Sequence, residues 1–303
     1  MTVPQRICNF PVEWAGLAAV VLLDAIWARI IDFHLLIGLQ DFLLVALVLM
    51  LMIMAHGMRA KHAALVMEYF CLSLGATAAF GVFSYLAMAS AHGPLLDGPF
   101  LAADRAMGFD WLALYRWIMA RPVMATVLQL LYVSMLAQGL IAGIALGMRG
   151  ERHEMSVLFR IIFIASFVTC IAAMFSPALG PYKIFHIHGR GAFLIDMQHL
   201  LSHQNLTFKL SELTGVVSFP SFHAVVALAY AWGLRRAGLL GKIMVAVNAG
   251  MFLSIPTFGG HYLVDVLAGS GVMLVSLALT HLSFAIQSGA FTHRNPMLVE
   301  KAA

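Results

Sequence analysis

The chain has 303 residues, of which 62% are hydrophobic and 11% charged, and its mean hydropathy is +0.91. A soluble domain cannot bury that much apolar surface, so the composition indicates an all-α, polytopic bundle of transmembrane helices. The net charge of +4 comes from scattered Lys and Arg, without the clustered basic face that nucleic acid requires, so no nucleic-acid partner is expected.

Apolar runs long enough to cross about 30 Å of hydrocarbon fall at 14–31, 40–56, 64–90, 124–147, 157–179, 219–235, 240–257 and 262–284. Eight spans are therefore expected. The first contains Asp24 and Arg29, expected to pair with each other. With Glu13 as well, it makes a poor signal-peptide pattern and reads as a retained span. Glu68, in the third span, is a second intramembrane carboxylate. Cys8, Cys71 and Cys170 lie far apart and form neither a disulfide framework nor a metal spacing.

The stretch 97–122 is too polar to span. Asp110 is placed to cap a short helix ending at Arg121-Pro122, with Trp111, Tyr115 and Trp117 suited to a membrane interface. This segment is expected to pack over the bundle, although Asp104 and Asp110 could instead touch a head group.

Basic residues set the orientation. Arg6, Arg59, Lys61, Arg149, Arg152, Arg160, Arg235, Arg236, Lys242, Arg294 and Lys301 fall on one side. Fewer fall on the other: Arg105, Arg116, Arg121, Lys183, Arg190 and Lys209. The positive-inside rule then puts both termini in the cytoplasm. The loops 32–39, 91–123, 180–218 and 258–261 are expected on the periplasmic or luminal side.

Two polar stretches on that outer side interrupt the apolar text: "SFPSFHAV" at 218–225 and "GGHYLVDVLAG" at 259–269. Pro220 suits the first turn of a helix and Ser218 suits its cap, so the sixth span is expected to begin there. Its free N–H groups and dipole favour an anion. Ser221 adds a hydroxyl, and His223 lies within the first turn. In the second stretch, Gly259-Gly260 permits a tight turn and close backbone approach. His261 is expected to open the eighth span, with Asp265 four residues on along the same face. An unpaired carboxylate in a span costs at least about 2.5–3.5 kcal/mol, and His261 is its nearest partner. The carboxylate would hold one imidazole nitrogen and leave the other free as a nucleophile. Either motif alone suits a satisfied structural histidine; the pair at two helix starts argues for chemistry.

The pairing of P-S-x-H with a downstream H-x-x-x-D resembles the type 2 phosphatidic acid phosphatase superfamily. Within it, "GFDW", "SPALGPY", "FPSFHAV" and "GGHYLVDVLAG" resemble the branch of inositol phosphorylceramide synthases. The resemblance covers roughly 64–285, which would form a six-helix catalytic core. Residues 1–63 would be two additional N-terminal spans, and 286–303 a cytoplasmic tail. It implies that His261 attacks phosphorus to form a phosphohistidine, that Asp265 orients it, and that His223 protonates the leaving oxygen and then deprotonates the acceptor. Ser221 and backbone N–H groups near Gly260 would hold phosphate oxygens. The expected partners are a lipid phosphate or phosphodiester, a lipid hydroxyl acceptor and the membrane, with no cofactor and no metal.

The chain departs from the superfamily's pattern in two places. "KIFHIHGRG" supplies Lys183 and Arg190 at the spacing of a Lys-x6-Arg-Pro motif, but Gly191 replaces the proline. The arginine found six residues before the second histidine of the phosphatases is Ile255 here. Lys183, Arg190 or Arg105 would then compensate, or the substrate would be a less charged phosphodiester, which favours head-group transfer between lipids over monoester hydrolysis. Two rival readings are a metal site built from His186, His188, Asp196, His199 and His203, and a transporter using Asp24 and Glu68. Chelators would test the first. The second would keep its function after His261→Ala.

Overall fold

The computed structural model describes residues 8–57, 60–187, 189–191, 193–204 and 206–288; Arg6, Arg59, His188, Arg294 and Lys301 lie outside the described residues. In chain order the helices are α1 (Pro11–Ile30), α2 (Leu39–Gly57), α3 (Lys61–Ala89), α4 (Asp97–Ala106), α5 (Trp111–Met119), α6 (Pro122–Val133) and α7 (Met135–Met148). They continue with α8 (Arg152–Phe175), α9 (Pro181–Ile184), α10 (Phe193–Leu201), α11 (Phe222–Gly233), α12 (Gly238–Gly259) and α13 (Leu263–Gln287).

Each expected apolar run corresponds to a helix, but not each is a span by itself. Five helices, α1, α3, α8, α12 and α13, are long and apolar enough to cross a membrane. The pair α6 and α7, bent by 52°, makes a sixth if counted as one span. The apolar part of α2 and the 12-residue α11 are shorter. At 1.5 Å per residue, α11 covers only about 18 Å. The protein is an integral membrane, all-α helical bundle.

Short as it is, α11 occupies the centre and packs against α7, α8, α12 and α13. Its small residues permit this: Ala224, Val225, Val226, Ala227 and Ala229 are all buried. Gly269 on α13 lies so close to the Ser221 carbonyl and the Ala224 methyl that a side chain there would collide with backbone. Large apolar residues such as Phe42, Leu43, Leu253 and Leu274 instead face outward, as lipid contact requires.

Two buried carboxylates tie α1 to the bundle. Glu68 on α3 accepts the N–H groups of Asn9 (2.8 Å) and Phe10 (3.1 Å) and the Trp14 indole N–H (3.3 Å). Glu13 pairs with Arg160 on α8 at 2.7 Å and accepts from the Ser156 hydroxyl. Glu68 therefore has a structural role at the start of α1. The expected Asp24–Arg29 pair does not form among the described residues: Arg29 is exposed while Asp24 is buried, because the two point to different surroundings on one helix.

Outside the bundle, β1 (His34–Leu36) pairs in parallel with β2 (Thr207–Lys209). With α10 they form a cap on the end of α3, packed around Phe33, Tyr85, Leu86, Met197, Leu200 and Val216. The Tyr85 hydroxyl donates to Asp196 (2.5 Å) and accepts from the Thr214 N–H (2.9 Å), which fastens the cap.

Candidate active site

The two polar motifs meet at one end of the bundle. Ser221 is the N-cap of α11, in extended conformation, and its N–H donates to the Asp265 carbonyl at 3.0 Å. This differs from the expected start of the helix. Pro220, joined to Phe219 by a cis peptide, precedes the helix rather than opening it, and Ser218 is not the cap. The bond to α13 fixes Ser221 in place, and the helix can only begin after it. The Ser221 hydroxyl is fully buried and has no partner. The N–H groups of Phe222, His223 and Ala224 have none either among the described residues, as the first turn of a helix leaves them.

At the other motif, α12 ends at Gly259 and Gly260 adopts the left-handed conformation (φ +65°). An added Cβ at Gly260 would lie 2.7 Å from the Tyr182 ring. His261 is therefore in the turn, not in the helix, which starts at Leu263 after Tyr262 as N-cap. The relation with Asp265 nevertheless forms. Asp265 Oδ2 accepts the Tyr262 N–H at 2.8 Å and lies 3.4 Å from His261 Nδ1. Asp265 thus folds back over its own helix start and meets the imidazole there. Oδ1 of Asp265 is buried without a partner.

His223 is flanked by a residue that sequence reading missed. The Tyr132 ring on α6 stacks on its imidazole with centroids 4.1 Å apart, and the hydroxyl lies 3.2 Å from Nδ1. A Cβ placed on Gly259 would lie 3.1 Å from that same hydroxyl and 2.6 Å from His261 Cδ2. Tyr132 therefore borders both histidines. With Nδ1 of each ring facing Tyr132 or Asp265, the Nε2 atoms remain for a ligand.

A layer outside the histidines holds the two motifs in register. Asp97 accepts the N–H groups of Leu179 (3.0 Å) and Gly180 (2.7 Å) and the Tyr262 hydroxyl (3.0 Å). Gly180 takes φ +83°, and a Cβ there would lie 2.6 Å from the Gly260 carbonyl. Asp104, two turns further along the same face of α4, accepts the N–H groups of Leu263 (2.8 Å) and Val264 (3.0 Å). The Tyr182 hydroxyl donates to the Thr257 carbonyl (2.6 Å), and the Trp111 indole donates to the Pro256 carbonyl (2.9 Å). Burial pushes the Tyr182 phenol up to about 12 against the opposing pull of Arg190, so it stays a neutral donor. Asp110 caps α5 through the Ala113 N–H (2.9 Å), as expected.

Beside this layer, an apolar recess of about 370 Å³ runs between α5, α6 and α12 to the start of α13, lined among others by Trp117, Leu128, Phe252, Leu263 and Val266.

A sequence model of the PAP2 superfamily matches residues 98–279. The chain belongs to the PAP2 superfamily. No curated protein and no solved structure matches it. Membership in the PAP2 superfamily supports an enzyme of phosphatase or phosphotransferase type, acting on phosphate-ester lipids. The matched residues contain both histidine motifs and Asp104 of α4; Asp97 lies one residue before them.

The basic residues expected to serve this PAP2 site are placed unequally. Arg190 lies with its guanidinium 5.0 Å from the Phe258 ring, next to the Gly259-Gly260 turn and Tyr182. Lys183 and Arg105 are exposed. Ile255, where the phosphatases carry arginine, is fully buried against Ala224 and Val266. Among the described residues no group of three or more His, Cys, Asp or Glu side chains converges as a metal site. Asp196 is taken by Tyr85 and Thr214, and the His203 ring packs edge-on against His92.

Proposed function

We propose that this PAP2 protein is a lipid phosphotransferase that works through a phosphohistidine. His261 Nε2 attacks phosphorus while the Asp265 carboxylate retains the Nδ1 proton. The bond from phosphorus to the leaving oxygen breaks, and His223 gives that oxygen its proton. His223 then takes the proton of an incoming hydroxyl, which attacks phosphorus and releases His261. Ser221 Oγ and the open N–H groups of α11 hold the non-reacting oxygens, with Arg190 as the nearby cation. Exposed Lys183 is a second candidate cation, and the Gly260 turn lets backbone come close to the phosphate.

The observation that carries this reading is the Ser221–Asp265 backbone bond, which puts the helix starts bearing His223 and His261 side by side. The apolar recess supports a substrate that enters sideways from the bilayer and leaves one chain there. The absence of a second arginine at Ile255 favours a phosphodiester and transfer to a lipid hydroxyl, as in inositol phosphorylceramide synthases. The site would face the periplasm or lumen, with residues 1–63 as spans added to the catalytic core.

The test is covalent labelling and the stability of the label to acid and base. Purified protein is incubated with phosphorus-labelled phosphatidic acid and a labelled phosphodiester lipid, with and without ceramide or diacylglycerol. Acid-labile, base-stable label on wild type but not on His261→Ala supports the mechanism. Product formation that requires the acceptor supports transfer, and release of free phosphate without one supports the phosphatase reading instead. Turnover surviving in His261→Ala overturns both.

A further inference from the structure

The two helices that meet at the site are treated differently at their N-termini. At the start of α13 the N–H groups of the cap residue and of the first two helical residues are all taken by carboxylates: Tyr262 by Asp265, and Leu263 and Val264 by Asp104. In α11 the Ser221 N–H is bonded to a carbonyl, whereas among the described residues Phe222, His223 and Ala224 keep theirs open beside the buried, unpartnered Ser221 hydroxyl. Both helices direct a positive dipole end toward the same space, and an anion would be drawn to either. Only one is open.

We propose that Asp104 is a positioning residue that closes the N-terminus of α13 to phosphate and thereby assigns the anion to α11. The inference rests on the phosphohistidine reading above. His261 lies two residues before Leu263, so a phosphate seated on the α13 amides would be alongside the nucleophile's own turn rather than in line between the two imidazoles. In-line attack needs phosphorus in front of Nε2, and a displacement of about 1 Å can cost on the order of 100-fold in rate. Asp104 prevents that displacement twice over, by consuming the two donors and by putting a carboxylate at the dipole end of α13.

Asp104 is suited to this task by its placement. It is fully buried, on a helix that itself lies outside the bundle, and it makes no hydrogen bond with either histidine. Asp97, seven residues earlier on the same helix, fixes that helix to the Leu179-Gly180 loop and Tyr262. The carboxylate of Asp104 is thus held against α13 from outside the site.

Orthovanadate binding and lipid turnover, measured on the full-length protein in detergent, separate this role from mere support. In Asp104→Ala, vanadate should bind about threefold tighter or better, because two amides and a dipole end are released, while turnover falls at least about tenfold. Asp104→Asn, which keeps shape and one acceptor but no charge, should lie between wild type and Asp104→Ala on both readouts, and it decides the matter if the alanine variant does not fold. Vanadate binding that weakens in step with turnover, or that does not change, overturns the inference. If wild type itself neither turns over lipid phosphate nor binds vanadate, the phosphohistidine reading fails instead.

Discussion

Tyr132 and His223 are stacked nearly parallel, 16° apart, with the phenol oxygen 3.2 Å from Nδ1. The contact leaves His223 one usable nitrogen and fixes where it points. Tyr132→Phe keeps the stacking surface and removes the polar contact, whereas Tyr132→Ala removes both. The phenylalanine variant should lose several-fold in kcat and the alanine variant about 100-fold, read from initial rates on a lipid phosphate; equal losses would show that the hydroxyl alone matters.

Replacing Asp265 by Asn preserves the size of the side chain and its bond to the Tyr262 N–H but removes the charge facing His261. Turnover should fall by roughly 10²–10⁴ with little change in thermal stability. A drop in melting temperature as large as the loss of activity would mean that Asp265 serves mainly as a helix cap.

Asp97 holds three donors, two of them backbone N–H groups with no other acceptor. In Asp97→Ala these become buried and unsatisfied, at about 1–3 kcal/mol each. The expected result is a clearly lowered melting temperature in detergent, together with loss of activity as the Leu179-Gly180 loop moves away from Gly260. A variant that melts like wild type would contradict the hydrogen-bond pattern.

Glu13 and Arg160 form a buried pair far from the histidines. Glu13→Ala leaves the guanidinium uncompensated and should cost about 3–5 kcal/mol, seen as lower thermal stability with kcat near that of wild type in the folded fraction.

The apolar recess predicts a preference for long chains. Leu253→Trp, on its lipid-facing edge, should cut the ratio of kcat/KM for a long-chain over a short-chain lipid phosphate about tenfold, since each buried methylene contributes about 0.8 kcal/mol. An unchanged ratio would place the substrate chain elsewhere.

Much of this arrangement was legible in the sequence because polar residues stand out in apolar text. His223, His261 and Asp265 sit in helix-forming runs where a polar group has no business without a partner, and the Asp110 cap was equally plain. The exact helix starts were not legible. Hydropathy does not distinguish Pro220 within a helix from Pro220 just before one, and the tie from Ser221 to a backbone carbonyl leaves no trace in residue types. Asp97 was hidden, and Asp104 was read as a possible head-group contact and not as a ligand of α13 amides, for the opposite reason to His223: in an already polar stretch two more carboxylates give no contrast, and their partners are mostly backbone amides. Tyr132 was hidden inside an apolar run, where an aromatic residue reads as lipid contact. The cap strands, three residues each, were too short for any periodicity to declare them.

The break between α6 and α7 falls at Ser134, two residues after Tyr132, where the serine hydroxyl donates to the Leu131 carbonyl (2.7 Å) and accepts from Gln138 (2.8 Å). A straight rod through this region would swing its outer arm by 52° and carry the phenol off the imidazole. The elbow therefore acts as a hinge pin: the setting of the His223 ring is governed by a joint in a different helix, about half a turn beyond the phenol that stacks on it.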